Sequence, residues 1–299
     1  MRKKTSGFLA FLFVLFLLNS FVYAQNNVPG NQKSFLWKVQ SKTGAVYILG
    51  SVHFLKKDMY PLSSKIEDSF QKADALVVEA NVNEANQNDM DKLMKNALYP
   101  ETDTIEKHLS KETYELLKAK TNEVNMPSGV INRQKPWFLS LMLSSMELMK
   151  LGFDPNLGID KYFLLKATGK KKILELESLD YQTNLFNGFS DNEQELLLLY
   201  TLKDLSIMEQ EIDKLIRAWT SGDAKGMETI LLKSLTEDQR LSTVYEKLIY
   251  KRNRNMVSKI EEFLKNKDTY FVVVGAGHLV GKEGIIELLK AKKYAVEQM

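Results

Sequence analysis

An α/β fold, with a mixed central sheet flanked by helices and a helical subdomain over it, is what this sequence predicts. Three observations lead there. Short β-branched and aromatic runs recur at 35–39, 45–49, 75–79, 172–177, 269–274 and 294–296. Long stretches rich in Leu, Met, Lys and Glu separate them, at roughly 87–150 and 180–266. Two of the short runs pass directly into Gly-x-x-His. Strands alternating with helices argue for a sheet covered by helices, and a long helical stretch with only one strand inside it argues for a helical insertion.

The elements follow in chain order. Phe35–Val39 and Ala45–Leu49, around a turn containing Gly44, read as a hairpin. Residues 63–72 carry Ile66 and Phe70 four apart, the spacing of one helix face. Ala75–Glu79 is a short strand ending in an acid, and Lys172–Glu177 is another. Pro127 and Pro136 punctuate the first helical stretch, Gly188 and Gly222 the second. Thr269–Val274 is the clearest buried strand; a helix at about 282–290 and a strand at 294–296 close the chain.

The N-terminus reads as an export signal. Arg2, Lys3 and Lys4 precede an apolar run from Phe8 to Leu18, and Val22-Tyr23-Ala24 places small residues where a signal peptidase cuts. Residues 1–24 are therefore expected to be removed and 25–33 to form a loose leader. Residues 34–299 are expected to form one α/β domain, with its helical region at about 180–266. The location implied is periplasmic or secreted. The apolar run is too short for a spanning helix, which needs about 20 residues, so no stable membrane span is expected after cleavage.

Charge and cysteine content narrow the function. The chain has 41 Lys and Arg against 38 Asp and Glu. Three of those basic residues lie in the 1–24 signal, so the rest of the chain is balanced. Nothing points to nucleic acid as a partner. The absence of cysteine excludes thiol chemistry and thiolate-bound metals. No HExxH, P-loop or dinucleotide fingerprint is present.

Two of the three histidines share one setting: Gly50-Ser51-Val52-His53 and Gly275-Ala276-Gly277-His278, each directly after a strand. Glu79 and Glu177 end two other strands. Ligands bind beyond the carboxyl ends of strands in open α/β sheets, so these four residues are the candidate site. Imidazole with carboxylate suits a divalent metal such as Mn²⁺, Co²⁺ or Zn²⁺, and equally suits acid–base work on a water. His108 reads as a surface residue, Asp160 as a helix cap, and Arg252 as an ordinary helix charge.

Several ordered blocks resemble the TraB/GumN family, which is related to the Tiki proteases. They are Tyr47–His53, Ala73–Glu79, Gly158-Ile159-Asp160 with Leu176–Gln182, Trp219 with Gly222-Asp223, Arg252-Asn253, and Val274–Gly281. Lys251 stands where an acid commonly precedes the Arg-Asn pair, and Ser51 where Thr is common. The resemblance implies a fold shared with erythromycin-esterase-like (EreA) and ChaN-like proteins. It implies a catalytic set of His53, Glu79, Glu177, Arg252 and His278. A divalent metal would be held by His53, His278 and Glu79, with the remaining Glu activating water and Arg252 steadying an oxyanion or a carboxylate. The substrate would be a peptide or a small molecule. Two other readings stand beside this one: a metal-free His/Glu esterase-type hydrolase, and a non-catalytic binding protein.

Overall fold

The computed structural model describes residues 33–299. The expected signal over 1–24 and nearly all of the 25–33 leader lie outside the described residues. No helix among the described residues is long and apolar enough to cross a membrane.

Among the described residues six strands form one sheet: β1 (Leu36–Gln40), β2 (Ala45–Ser51), β3 (Ala75–Val78), β4 (Lys172–Glu175), β5 (Thr269–Gly275) and β6 (Ala295–Gln298). Their spatial order is β4-β3-β5-β2-β1-β6. β1 runs antiparallel to both neighbours, closing the expected hairpin on β2. The β2–β5, β5–β3 and β3–β4 pairs are all parallel. The sheet is therefore mixed, with a parallel half that needs helices on both faces. The sequence matches that need: Phe271, Val272, Val273 and Val274 of β5 and Leu76 and Val77 of β3 are fully buried.

β5, the last long strand of the chain, inserts between β2 and β3, which the Ser64–Lys72 helix connects. This insertion positions the site. Ser51 pairs with Gly275, so the two Gly-x-x-His segments leave the sheet side by side. β4 is the outer strand beside β3 and is half exposed. It ends at Glu175, so Glu177 lies just past the strand instead of within it.

The expected mixed α/β architecture is present, and the helical layer has a broader origin than the 180–266 stretch. Two apolar clusters lie apart from the sheet's core. One gathers Trp137 with Phe189, Tyr245 and Leu248; the other gathers Leu139 and Leu143 with Leu198 and Leu202. Each draws on helices from both stretches, chiefly Pro136–Lys150 and Asp191–Asp204. The Met208–Ser221 and Lys251–Leu264 helices instead pack Ile212, Leu215, Val257 and Ile260 into the sheet's core. Pro136, read from sequence as a break, starts a helix at its first position, where its missing N–H costs nothing.

Candidate active site

The strand ends bring His53, Glu79, Glu177 and His278 to one edge of the sheet. β3 stops at Val78, one residue before Glu79, and the backbone N–H of Glu177 donates to the Glu79 carbonyl (2.7 Å), extending the β3–β4 pairing past both strands. Glu79, Glu177 and His278 are buried; His53 is partly buried.

Gly275 lies at the centre of the group. A Cβ built there would sit 3.4 Å from Glu79 Oε1, 3.5 Å from His53 Nε2 and 3.6 Å from His278 Cδ2. The bare glycine thus leaves a small space that these three side chains surround. Its backbone N–H donates to Glu79 Oε1 at 2.6 Å. Ser51 Oγ and Gln182 Oε1 are buried without a hydrogen-bond partner among the described residues, and both residues line the same cavity.

Each imidazole is fixed through Nδ1. His53 Nδ1 lies 2.6 Å from Asp160 Oδ2. His278 Nδ1 lies 2.6 Å from Asn253 Oδ1, while Asn253 Nδ2 donates to the Glu283 carbonyl at 2.7 Å. That donation makes Asn253 Oδ1 the acceptor, so His278 carries its proton on Nδ1. In both rings Nε2 is the free acceptor; that of His278 lies 3.8 Å from Glu79 Oε1.

Arg252 is not a solvated charge. It is buried, and its guanidinium bridges the two glutamates. Nε and Nη2 both donate to Glu177 (3.0 and 2.7 Å), and Nη2 also reaches Glu79 Oε2 at 2.6 Å. Nη1 donates to the Leu248 carbonyl. Gln182 Nε2 donates to both carboxylates, at 3.2 and 3.3 Å. A π-helical turn at Glu246–Tyr250 precedes Arg252 and Asn253, a distortion often found at functional sites. These consecutive residues serve the glutamate pair and His278 respectively.

The protonation states follow. Burial raises the Glu79 pKa, but His278, Arg252, His53 and the Gly275 N–H together outweigh it and pull it down to about 2. Burial pushes His278 down to about 3, against the attraction of Glu79 and with help from Arg252 and His53. Burial also acts against protonated His53, yet the charge and hydrogen bond of Asp160, aided by Glu79, leave its pKa raised. At neutral pH Glu79 is ionised, a poor base, and His278 is neutral.

Sequence alone misreads or misses several residues. Asp160 does not cap a helix: Gly158 holds the cap position, and Asp160, in the first turn, orients His53. Gly158 itself passes so close to the His53 backbone that a Cβ there would overlap the carbonyl. Gln182 and Asn253 carried no signal beyond membership in the resembling blocks, because a lone amide in a helix is usually a surface residue. His108 lies partly exposed at the surface, as expected, but with partners of its own. It stacks on Tyr99 (4.1 Å between centroids) and lies 2.9 Å from both Asp103 and Asp191, away from the site.

The ordered set of two strand-end histidines, the bridged glutamates and the Arg-Asn pair coincides with a match to the TraB/PrgY/gumN family over residues 35–298. This chain belongs to that family. It is 25% identical to "Uncharacterized protein YbaP" of Escherichia coli (strain K12), over 82% of this chain and 87% of that protein. It is 22% identical to "Metalloprotease TIKI homolog" of Nematostella vectensis, over 89% of this chain and 67% of the relative. It is also 22% identical to "Metalloprotease TIKI2" of Danio rerio, over 91% of this chain and 63% of the relative. No solved structure matches the chain. Trp219, one of the residues of the resembling blocks, donates from Nε1 to the Gly50 carbonyl at 2.6 Å and so fixes the end of β2.

The fit to a divalent metal can be tested on the donors. Two neutral-capable imidazole nitrogens, each with its other nitrogen held by Asp160 or Asn253, are the usual preparation for ligation. Glu79 Oε1 supplies a carboxylate oxygen beside them. Among the described residues, however, no three His, Asp or Glu side chains stand close enough together to ligate one ion. Both Glu177 oxygens are taken by Arg252. The donors suit a divalent ion in kind, but not as a ready three-residue cage.

Proposed function

We propose that this protein is an exported hydrolase that adds water to a carbonyl carbon of an amide or ester, with His53 as the base. The observation that supports this most directly is the space at Gly275, where His53 Nε2, Glu79 and His278 face one another. The leader at residues 1–24 supports export.

In this reading, Asp160 holds His53 Nδ1–H and raises its pKa, leaving Nε2 to take a proton from water. The water oxygen bonds to the carbonyl carbon, the carbon–heteroatom bond breaks, and His53 passes the proton to the departing nitrogen or oxygen. Ser51 Oγ is a buried hydroxyl free to donate to the developing oxyanion. Arg252 holds Glu79 and Glu177 in place and offsets their charge. It is a positioning residue here, and Glu177, tied to it twice, is one as well.

The printed names of the animal relatives favour a second reading in which a divalent cation takes part. Such a cation would polarise the carbonyl and acidify a water. His53 and His278 would hold it, with Glu79 beside them.

The test is hydrolysis of a panel of peptides, acyl amides and acyl esters by protein collected outside the cytoplasm, with its N-terminus checked at Gln25. Turnover that survives chelation and is lost in His53→Ala supports the base reading. Turnover lost on chelation and restored by Mn²⁺, Co²⁺ or Zn²⁺ supports the cation reading. No turnover across the panel, with or without metal, would reject both.

A further inference from the structure

The site opens at the end of a cavity of about 380 Å³, within the range of pockets that enclose small ligands. Every charged or titratable side chain lining it belongs to the group already described: His53, Glu79, Arg252 and His278. The remainder of the wall is an apolar arm formed by the helical layer. Six methionines line it: Met90, Met94, Met142, Met146, Met149 and Met227. Met142, Met146 and Met149 follow one face of the Pro136–Lys150 helix, and Met90 and Met94 follow one face of Gln87–Ala97. Met94, Met146 and Met149 are 42%, 37% and 50% exposed. Exposed methionines on a cavity wall mark a surface that adapts to a flexible apolar ligand.

The chemistry of that ligand can be narrowed. Outside the polar group, only Trp137, Ser145 and Thr183 offer side-chain nitrogen or oxygen to the arm, and Ser145 Oγ already donates to the Leu141 carbonyl. A peptide in the arm would carry an N–H and a C=O at every residue, most left without partners. An unbranched acyl chain has no such groups. At the polar end, Glu79, Glu177 and Asp160 set three carboxyl groups against one guanidinium. That end disfavours an anionic head and accepts a neutral amide or ester; the N–H of an amide has Gln182 Oε1 as an unpartnered acceptor. We infer that the substrate is a neutral acyl amide or ester whose long apolar chain fills the methionine-lined arm and whose carbonyl meets His53. This rests on the hydrolase reading for the fate of the carbonyl, whereas the binding of the chain stands without it.

The experiment separates the two. Uncharged N-methyl alkanamides, from hexanoyl to palmitoyl, are titrated calorimetrically into the mature protein. Affinity is expected to rise about two- to fourfold per methylene until the arm is full, given about 0.8 kcal/mol per buried methylene as an upper bound. Met142→Trp, which occupies the arm, moves the plateau to shorter chains; an unchanged thermal melting midpoint excludes misfolding as the cause, and Met146→Trp serves if it misfolds. His53→Ala keeps the chain-length slope while removing turnover of the matching p-nitrophenyl esters, so a failed hydrolase reading leaves the slope intact. Affinity independent of chain length, or apolar peptides of equal length binding more tightly than the alkanamides, would overturn the inference.

Discussion

His53 and His278 both follow a parallel strand by the same Gly-x-x-His pattern, yet their second nitrogens meet different partners. Asp160, a carboxylate, faces Nδ1 of His53, whereas Asn253, a neutral amide, faces Nδ1 of His278. Burial acts against the charged form of both rings. Asp160 reverses that effect at His53, whose pKa is raised; at His278 the attraction of Glu79 does not offset burial, and the pKa falls to about 3. One motif thus yields a ring poised to exchange a proton and a ring kept neutral. The residue that makes the difference lies 107 positions away in one case and 25 in the other.

The largest expected effect comes from removing the cation that both rings feel. Arg252→Met leaves Glu79 and Glu177 buried with no cation between them. Losing one member of a buried ionic group costs about 3–5 kcal/mol. Urea unfolding should show that loss, and Arg252→Lys should recover only part, since an ammonium cannot reproduce the fork. Stability within about 0.5 kcal/mol of the parent would mean that the bridge is not formed in solution.

The comparison itself is broken by exchanging partners. Asp160→Asn gives His53 an amide like that of His278, so its pKa should fall; Asn253→Asp should raise that of His278. Proton NMR on chelated protein reads both, since the chain has three histidines in all. Asp160→Asn should also cost about 10–100-fold in turnover, as loss of such an orienting carboxylate usually does. The two rings should leave opposite marks on the pH profile of stability. An unfolded histidine protonates near 6.5. His278 stays neutral in the fold to about pH 3, so its contribution is present above 6.5 and is lost as pH falls from there towards 3. The contribution of His53 is present below 6.5 and is lost as pH rises through its raised folded value. Urea unfolding across pH, with His278→Asn flattening the acid limb, checks the sign.

The smallest effect on stability is expected at Gly275, where the two segments meet. Its backbone, φ −51° and ψ 135°, suits any residue, and a methyl would make ordinary contacts at 3.4–3.6 Å. Gly275→Ala should therefore leave stability unchanged or raise it by about 0.4–1 kcal/mol. The same methyl fills the space between His53, Glu79 and His278, so turnover should collapse. A fully active Gly275→Ala enzyme would place the reaction elsewhere.

Much of the fold was legible because its signals are local. A buried run such as Tyr270–Val274 can only be a covered strand, and Ile66 with Phe70 marks one helix face. The strand-end positions of His53, Glu79 and His278 followed from those runs and from the glycines after them. Glu177 was placed at a strand end and lies two residues beyond it, because β4 is a short outer strand with few neighbours to prolong it. Judged against their own helices alone, Asp160 reads as a cap and Arg252 as a solvated charge; only the family resemblance puts Arg252 in the site. Their partners lie on other elements.

By itself, the sequence determined the alternation of strands and helices, the lack of cysteine chemistry, and which strands run into His53, Glu79 and His278. Those properties depend on side-chain period, composition and glycine placement, all readable within about ten residues. Tertiary structure decided that β5 inserts between β2 and β3, bringing His53 beside His278. It also decided that Arg252 spans two glutamates, that Asp160 and Asn253 set the two imidazoles apart, and that two separate helical stretches share one methionine-lined cavity. The physical reason is distance: charge, burial and hydrogen bonding act through space, and here groups that tune each other, such as His53 and His278, come from opposite ends of the folded chain.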